Sequence, residues 1–362
     1  MLWLIALPAW VILWSFCLNK SSQFKISTKS YMILCSLALI FIMGLRSKYT
    51  GTADTYHYTL LYEAAKEYST LGEYLNKIDI FNDVFIFSEA GFHIYTWIAA
   101  KIFSGTQGFL LLTATIIVGA TAKFIYENSE DPAVSWVVFI CLGSMTFAMN
   151  GMRQALAMSI CLLSYRYVKE KKLVRFLLTV FLAVLFHKSA MVFALVYLMR
   201  NMKFNFKSFA WITLGIGVFL ASAQRFAFLY DSITGEDYAS AESFESGGII
   251  TILIYVIAIV GLLISYRQLQ DTERFLPLVF TIVGLFIYLG RFISTQIYER
   301  VSYYFAYFLI LGFPIILNDM KPNIRQSVRI IFMVVSGALF AYRIGKGAFS
   351  DFEMFWQIGL KG

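Results

Sequence analysis

Residues 108–126 read GFLLLTATIIVGATAKFIY, and this stretch decides the fold class. It holds a single charge, Lys123, and matches the ~20 residues that an α-helix needs to cross a bilayer. Comparable apolar runs recur along the chain, near 2–18, 31–45, 133–149, 151–168, 173–199, 208–228, 248–266, 276–297, 301–317 and 328–342. Of the 362 residues, 59% are hydrophobic and only 14% are charged. A soluble domain carries about 25% charged residues, so lipid must cover the surplus apolar surface. The expectation is an all-α polytopic integral membrane protein, a single transmembrane domain over 1–362 with about 11–13 membrane-crossing helices. Aromatic residues, 18% of the chain, suit the headgroup belts of such a protein.

The net charge of +8 would suggest nucleic acid in a soluble protein. Here the basic residues sit in short loops, where they act as topology signals, and nucleic-acid binding is not expected. Cys17, Cys35, Cys141 and Cys161 all lie in apolar runs without metal-ligand spacing, so they read as small core residues. Met1–Leu18 lacks a basic start and a small-residue cleavage site, and reads as a retained first helix.

Loop charges orient the helices. Lys20, Lys25 and Lys29 place the first loop in the cytoplasm by the positive-inside rule. The segment 46–89, rich in Asp and Glu, is then external, with a surface helix expected near 57–68. Arg166, Lys169, Lys171, Lys172 and Arg175 mark the next cytoplasmic turn. The run 173–199 is broken by His187-Lys188-Ser189, and two short helices meeting at the outer face fit it best, because Arg200, Lys203 and Lys207 follow. The acidic loop 230–247 is external, and Lys321 and Arg325 are internal. This alternation needs an odd number of crossings between 90 and 132. The short run 90–103 is therefore expected to be re-entrant or tilted. The alternative is a single helix over 173–199 with the 166–175 cluster outside.

A charge within a bilayer is costly, so ionisable residues near or within the spans are functional candidates. The topology brings Arg46, Asp54, Glu89, Asn150, Arg153, Gln154, His187, Glu299 and Arg300 to one external depth, with Arg291 deeper. Each also has an ordinary structural role open to it. Arg46 suits a snorkelling anchor, Asp54 a turn or helix cap, Arg153 a loop arginine, and His187 a satisfied core histidine. There is no P-loop, dinucleotide fingerprint or nucleophile elbow. No Asp-x-Asp appears, the nearest being Asp351-Phe-Glu353. The residues five past His57, His93 and His187 are Tyr62, Ile98 and Val192, which disfavours a His-x4-Asp acyltransferase.

Several short motifs occur in order. They are Gly44-Leu-Arg46, Thr50-Gly-Thr-Ala-Asp54-Thr-Tyr56 with Tyr58, and Glu89-Ala-Gly-Phe92. Asn150-Gly-Met-Arg153-Gln154-Ala-Leu-Ala157, Phe186-His187-Lys-Ser189-Ala190 and Arg300-Val-Ser-Tyr-Tyr304-Phe follow. In these the chain resembles the EpsG family of Wzy-like bacterial polysaccharide polymerases. Ala53 intervenes where the family pattern often reads Gly-Thr-Asp or Gly-Asp. The resemblance implies a GT-C-like membrane glycosyltransferase of the bacterial inner membrane, with its active site on the periplasmic side. Its substrate would be oligosaccharide repeat units on undecaprenyl diphosphate, and a surface polysaccharide (O-antigen, capsule or exopolysaccharide) its product. Membrane lipid, a flippase and a chain-length regulator are the implied partners, and neither cofactor nor metal is implied.

That chemistry asks for arginines to stabilise a departing diphosphate and for a base to take the acceptor hydroxyl's proton. Arg153 and Arg300, with Arg46 in reserve and Gln154 and Asn150 beside them, are the candidates for the diphosphate. His187, Asp54 and Glu89 are the candidate bases, and the imidazole, with an ordinary pKa of about 6.5, is slightly favoured. A lipid-linked oligosaccharide flippase is the alternative from another class, although such transporters commonly show two related halves and no internal repeat is visible here. An O-antigen-type ligase would share the chemistry and differ in acceptor.

Overall fold

A computed structural model describes residues 1–18, 26–78, 89–202, isolated helical positions between 207 and 225, 248–265, 272–292 and 295–360. The expected external loop 230–247, most of the expected helix 208–228 and residues 79–88 of the first external segment lie outside these residues. The chain runs through α1 (Leu2–Phe16), α2 (Thr28–Gly44), α3 (Ala53–Lys66), α4 (Leu71–Lys77), α5 (Ala90–Ile102) and α6 (Thr106–Asn128). It continues through α7 (Pro132–Cys141), α8 (Ser144–Asn150), α9 (Met152–Lys169), α10 (Leu173–Phe186), a 3₁₀ turn (Lys188–Ala194) and α11 (Leu195–Met199). The last helices are α12 (Gly248–Ile264), α13 (Thr272–Leu289), α14 (Thr295–Ala306), α15 (Leu309–Asn318) and α16 (Pro322–Lys346). Among the described residues there is no strand, only an isolated antiparallel bridge between Arg46 and Met354.

Helix starts follow local chemistry. Asp131 caps α7 by accepting from the amides of Ala133 and Val134, with Pro132 at the first helical position. Thr70 and Glu73 form a reciprocal capping box on α4. Within α6, Thr113, Thr115 and Thr121 return their hydroxyls to the carbonyls four residues back, which lets polar residues sit in an apolar helix. Gly44 allows α2 to approach α6 closely: a Cβ there would lie 2.7 Å from Leu111 Cδ1 and 2.8 Å from its Cα.

Among the described residues, three helical stretches are long and apolar enough to span a membrane: Thr106–Asn128, Arg274–Phe292 and Pro322–Lys346. Two bent pairs, α7 with α8 (51°) and α14 with α15 (45°), make five if each is one span. Leu2–Phe16, Thr28–Gly44, Leu173–Phe186, Lys188–Met199 and Gly248–Ile264 are shorter apolar helical segments. The protein is an all-α polytopic membrane protein.

α6, about 34 Å long at 1.5 Å per residue, defines two ends of the bundle. At its start, Gln107 Nε2 donates to the carbonyls of Gly44 and Arg46. Beyond its end lies an ionic cluster. Arg274 pairs with Glu130 (2.7 Å) and Asp319 (2.8 Å), and Arg329 pairs with Asp131 (2.5 Å). Between the ends, Phe124, Tyr165, Phe280 and Phe308 pack ring on ring. The N-terminal ammonium donates to Phe352 O at 2.6 Å, so α1 begins beside the segment that follows α16.

The break at His187 is a fold-back. Phe176 on α10 lies 5.3 Å, ring to ring, from Tyr197 on α11. Two runs that read as continuous are broken instead. Residues 133–149 bend at Gly143, where φ is +111°, and 301–317 bends between Ala306 and Leu309. The run expected at 276–297 ends its α-helical part at Leu289 and closes in a 3₁₀ turn, Gly290–Phe292.

Candidate active site

Glu89 precedes α5 in the left-handed region (φ 55°, ψ 35°), a conformation that costs a non-glycine residue about 1–2 kcal/mol. The carboxylate at that turn is almost wholly buried and meets two partners. Oε2 accepts from Arg153 Nη1 on α9, and Oε1 pairs with His187 Nδ1 at the end of α10. Gly91 makes this meeting possible. A Cβ there would lie 2.9 Å from Leu185 O, so only glycine lets α5 reach the last turn of α10. Burial pushes the Glu89 carboxyl up, but His187 and Arg153 outweigh it and hold the group at about 2. Glu89 is thus ionised near neutral pH.

His187 leaves the helix in an extended conformation (φ −158°, ψ 122°) while its amide still bonds Ala183 O at 3.0 Å. The next turn is fixed by Ser189 Oγ at 3.1 Å from Tyr304 OH on α14. Nε2 of His187 is buried and has no hydrogen-bond partner among the described residues. Arg153 also lies over the Tyr58 ring at 5.5 Å.

Arg153, His187 and Tyr58 border a cavity of about 710 Å³. Asp54, Asn150, Arg153, Gln154, His187 and Arg300 all line it. Glu89 and Arg46 do not. Asn150 Oδ1 accepts from the Thr52 amide at 3.2 Å, which holds the turn before α3; Gly51, at φ +94°, passes so close that a Cβ would lie 2.4 Å from that oxygen. Asp54 falls in the first turn of α3, and Thr52 takes the cap position. Gln154 Nε2 donates to Arg300 O at 2.5 Å and joins α9 to α14.

Arg46, only 2% exposed, is turned inward. It donates to Met43 O, to Met149 O at 2.8 Å and to Met152 Sδ at 3.3 Å. Its place is that of a clamp between the end of α2 and the α8–α9 junction.

Two cavity residues escape a reading by motif: Arg343 and Lys346, in the last turn of α16. The signal was a basic pair on the side where loop charge predicts few cations. A smaller chamber of about 150 Å³ adjoins, bordered by Arg291, Glu299 and Arg343. Among the described residues no three His, Cys, Asp or Glu side chains gather as a metal-ligand set.

The arrangement combines a carboxylate-held imidazole with several cations at a cavity wall, a set able to move a proton and to bind an anion. No curated protein and no solved structure matches the chain. The family model described as the EpsG family matches residues 29–355, a stretch that includes every residue of this site. The chain therefore belongs to the EpsG family, whose members are Wzy-like polysaccharide polymerases.

Proposed function

We propose that this protein transfers a growing glycan from undecaprenyl diphosphate to a sugar hydroxyl of the next lipid-linked repeat unit, at the outer face of the bacterial inner membrane. The observation that carries the reading is Glu89 holding His187 and Arg153 together beside the cavity. Because Glu89 is ionised, the shared hydrogen bond needs the proton on His187 Nδ1. In the neutral imidazole Nε2 is then the acceptor. His187 is the base, and Glu89 is a positioning residue that fixes its tautomer.

The acceptor oxygen attacks the anomeric carbon of the donor and forms the new glycosidic bond. The bond from that carbon to the phosphate oxygen breaks, and its electron pair leaves with the lipid diphosphate. The hydroxyl proton goes to His187 Nε2. Arg153 and Arg300 stabilise the charge on the departing diphosphate. A guanidinium has five N–H donors, so the pair with Glu89 does not exhaust Arg153. Asp54, Asn150 and Gln154, with Tyr58, Phe147 and Tyr303, supply polar and aromatic walls for sugar. The donor is already activated, and no step calls for a metal. A flippase that delivers the units and a chain-length regulator complete the assembly.

The test uses purified protein in liposomes with a lipid-diphosphate-linked repeat unit in excess EDTA. The expected result is a polymer ladder, with one lipid diphosphate released per bond formed. His187→Asn should lower the rate on the order of 10²–10⁴-fold at equal protein level. A ladder that requires added Mg²⁺ or Mn²⁺, or an undiminished rate in His187→Asn, overturns the mechanism. Transbilayer movement of the lipid-linked unit without bond formation would assign a flippase instead.

A further inference from the structure

Several buried or partly buried arginines in this protein are held by carboxylates, and others by backbone carbonyls, as Arg46 is by Met149 O, Arg200 by Tyr197 O and Arg325 by Met320 O. Arg153 has Glu89, Arg274 has Glu130 and Asp319, and Arg329 has Asp131. Arg343 has neither kind of partner. It is half-buried, lines the cavity, and forms no hydrogen bond or ion pair with any described residue. Its guanidinium lies over Gly143 at the bend between α7 and α8, where a Cβ would sit 3.7 Å from Nη2. Lys346, three residues on and hence on the same helix face, also lines the cavity, and its ammonium lies over the Tyr342 ring at 4.9 Å. Two cations side by side without a carboxylate, one of them partly desolvated, call for an anion.

The helix that carries them indicates what kind of anion. α16 is one of the apolar spans, and Ile331, Val334 and Val335 expose more than half of their surface along it. A ligand held at Arg343 and Lys346 thus meets a lipid-facing apolar helix on one side and the polar cavity on the other. That suits an anionic headgroup with a long hydrocarbon tail.

The reaction proposed above, on which this inference rests, consumes two such ligands. Donor and acceptor each carry a lipid diphosphate, and only the donor's is released. The other must be held while its sugar hydroxyl attacks. We infer that Arg343 and Lys346 form a second diphosphate subsite, which holds the lipid carrier of the acceptor unit. Arg153 and Arg300 serve the carrier that departs.

Stoichiometry tests this without requiring turnover. The full chain in nanodiscs of phosphatidylcholine, titrated with bare polyprenyl diphosphate and weighed by native mass spectrometry, should bind two molecules. Arg343→Gln/Lys346→Gln should bind one. One molecule on the wild type, or two on the double variant, overturns the subsite. So does loss of the second molecule in phosphatidylglycerol nanodiscs, which would show a site for any anionic lipid. A kinetic split then assigns the carrier. The donor is a lipid-linked oligomer whose accepting hydroxyl is blocked, and the acceptor is a repeat unit with a methylene in place of the anomeric oxygen. In the double variant the KM for the acceptor should rise on the order of tenfold to a hundredfold, as expected for lost hydrogen bonds to a charged group, while the donor KM stays within about twofold. A rise confined to the donor KM, or equal rises in both, overturns the assignment. Wild type that binds two carriers yet forms no glycosidic bond would sink the transfer reading and leave the two-site finding standing.

Discussion

Glu89 pairs with His187 across 98 residues of chain, at the point where α5 begins and α10 ends. Its other oxygen takes Arg153, 64 residues away. One buried carboxylate therefore sets the position of the proposed base and of the guanidinium assigned to the leaving group. Removing its charge should affect both.

Glu89→Gln should destabilise the detergent-solubilised protein, and the deficit should depend on pH in a specific way. The folded carboxyl is held at about 2, below the ordinary Glu value of about 4.3. A depressed pKa contributes stability that is fully present above the unfolded value and is lost as pH falls through the folded one. The difference in Tm between wild type and Glu89→Gln should narrow from about pH 4 downward. A gap that does not narrow between about pH 4 and pH 2 would show that Glu89 does not carry the charge of the cluster.

Arg153 should matter for geometry as well as charge. Arg153→Ala should reach the membrane at near-normal level and make only single-unit product, with a rate loss on the order of 10²–10³. Arg153→Lys should be partly active at best, because an ammonium cannot engage Glu89 and phosphate with the planar fork of a guanidinium. Polymer length on a gel, normalised to protein in the membrane, is the measurement. Wild-type lengths from both variants would leave Arg153 a surface anchor.

Gly91→Ala should uncouple α5 from α10. The added methyl would meet the Leu185 carbonyl, which belongs to helix backbone and has little room to retreat. Overpacking of this kind costs about 1–3 kcal/mol. The expected outcome is a lower Tm together with slower polymerisation, since the shift separates Glu89 from His187. An unchanged Tm and rate would mean that this close approach does not position the site.

The site should face outward. Tyr49 is exposed a few residues before the cavity rim, and Lys171 is exposed in the turn between α9 and α10. An impermeant maleimide applied to intact spheroplasts should label Tyr49→Cys, and should label Lys171→Cys only after permeabilisation. The half-exposed native Cys17 is replaced by Ser in both variants, and buried Cys35, Cys141 and Cys161 give little background. The reverse pattern would place the cavity in the cytoplasm and remove a periplasmic polymerase from consideration.

The amino-acid sequence by itself determined the membrane class, most apolar segments, the short α5, a helix at α3 and the break at His187. These are local properties. Apolar run length sets which segments need lipid, and a polar interruption ends an apolar run wherever it occurs. The motifs also singled out Glu89, Arg153 and His187, yet as three separate candidates with the base left open among His187, Asp54 and Glu89. Only the tertiary structure decided that Glu89 joins the other two, that Arg46 clamps backbone carbonyls, and that Arg343 and Lys346 share the cavity. It also decided that 133–149 bends at Gly143. The physical reason is range. Hydrophobicity acts residue by residue and shows in any window of the chain, whereas an ion pair needs two side chains within a few ångströms. That proximity comes from how α5, α9, α10 and α16 pack, which no single stretch of sequence encodes.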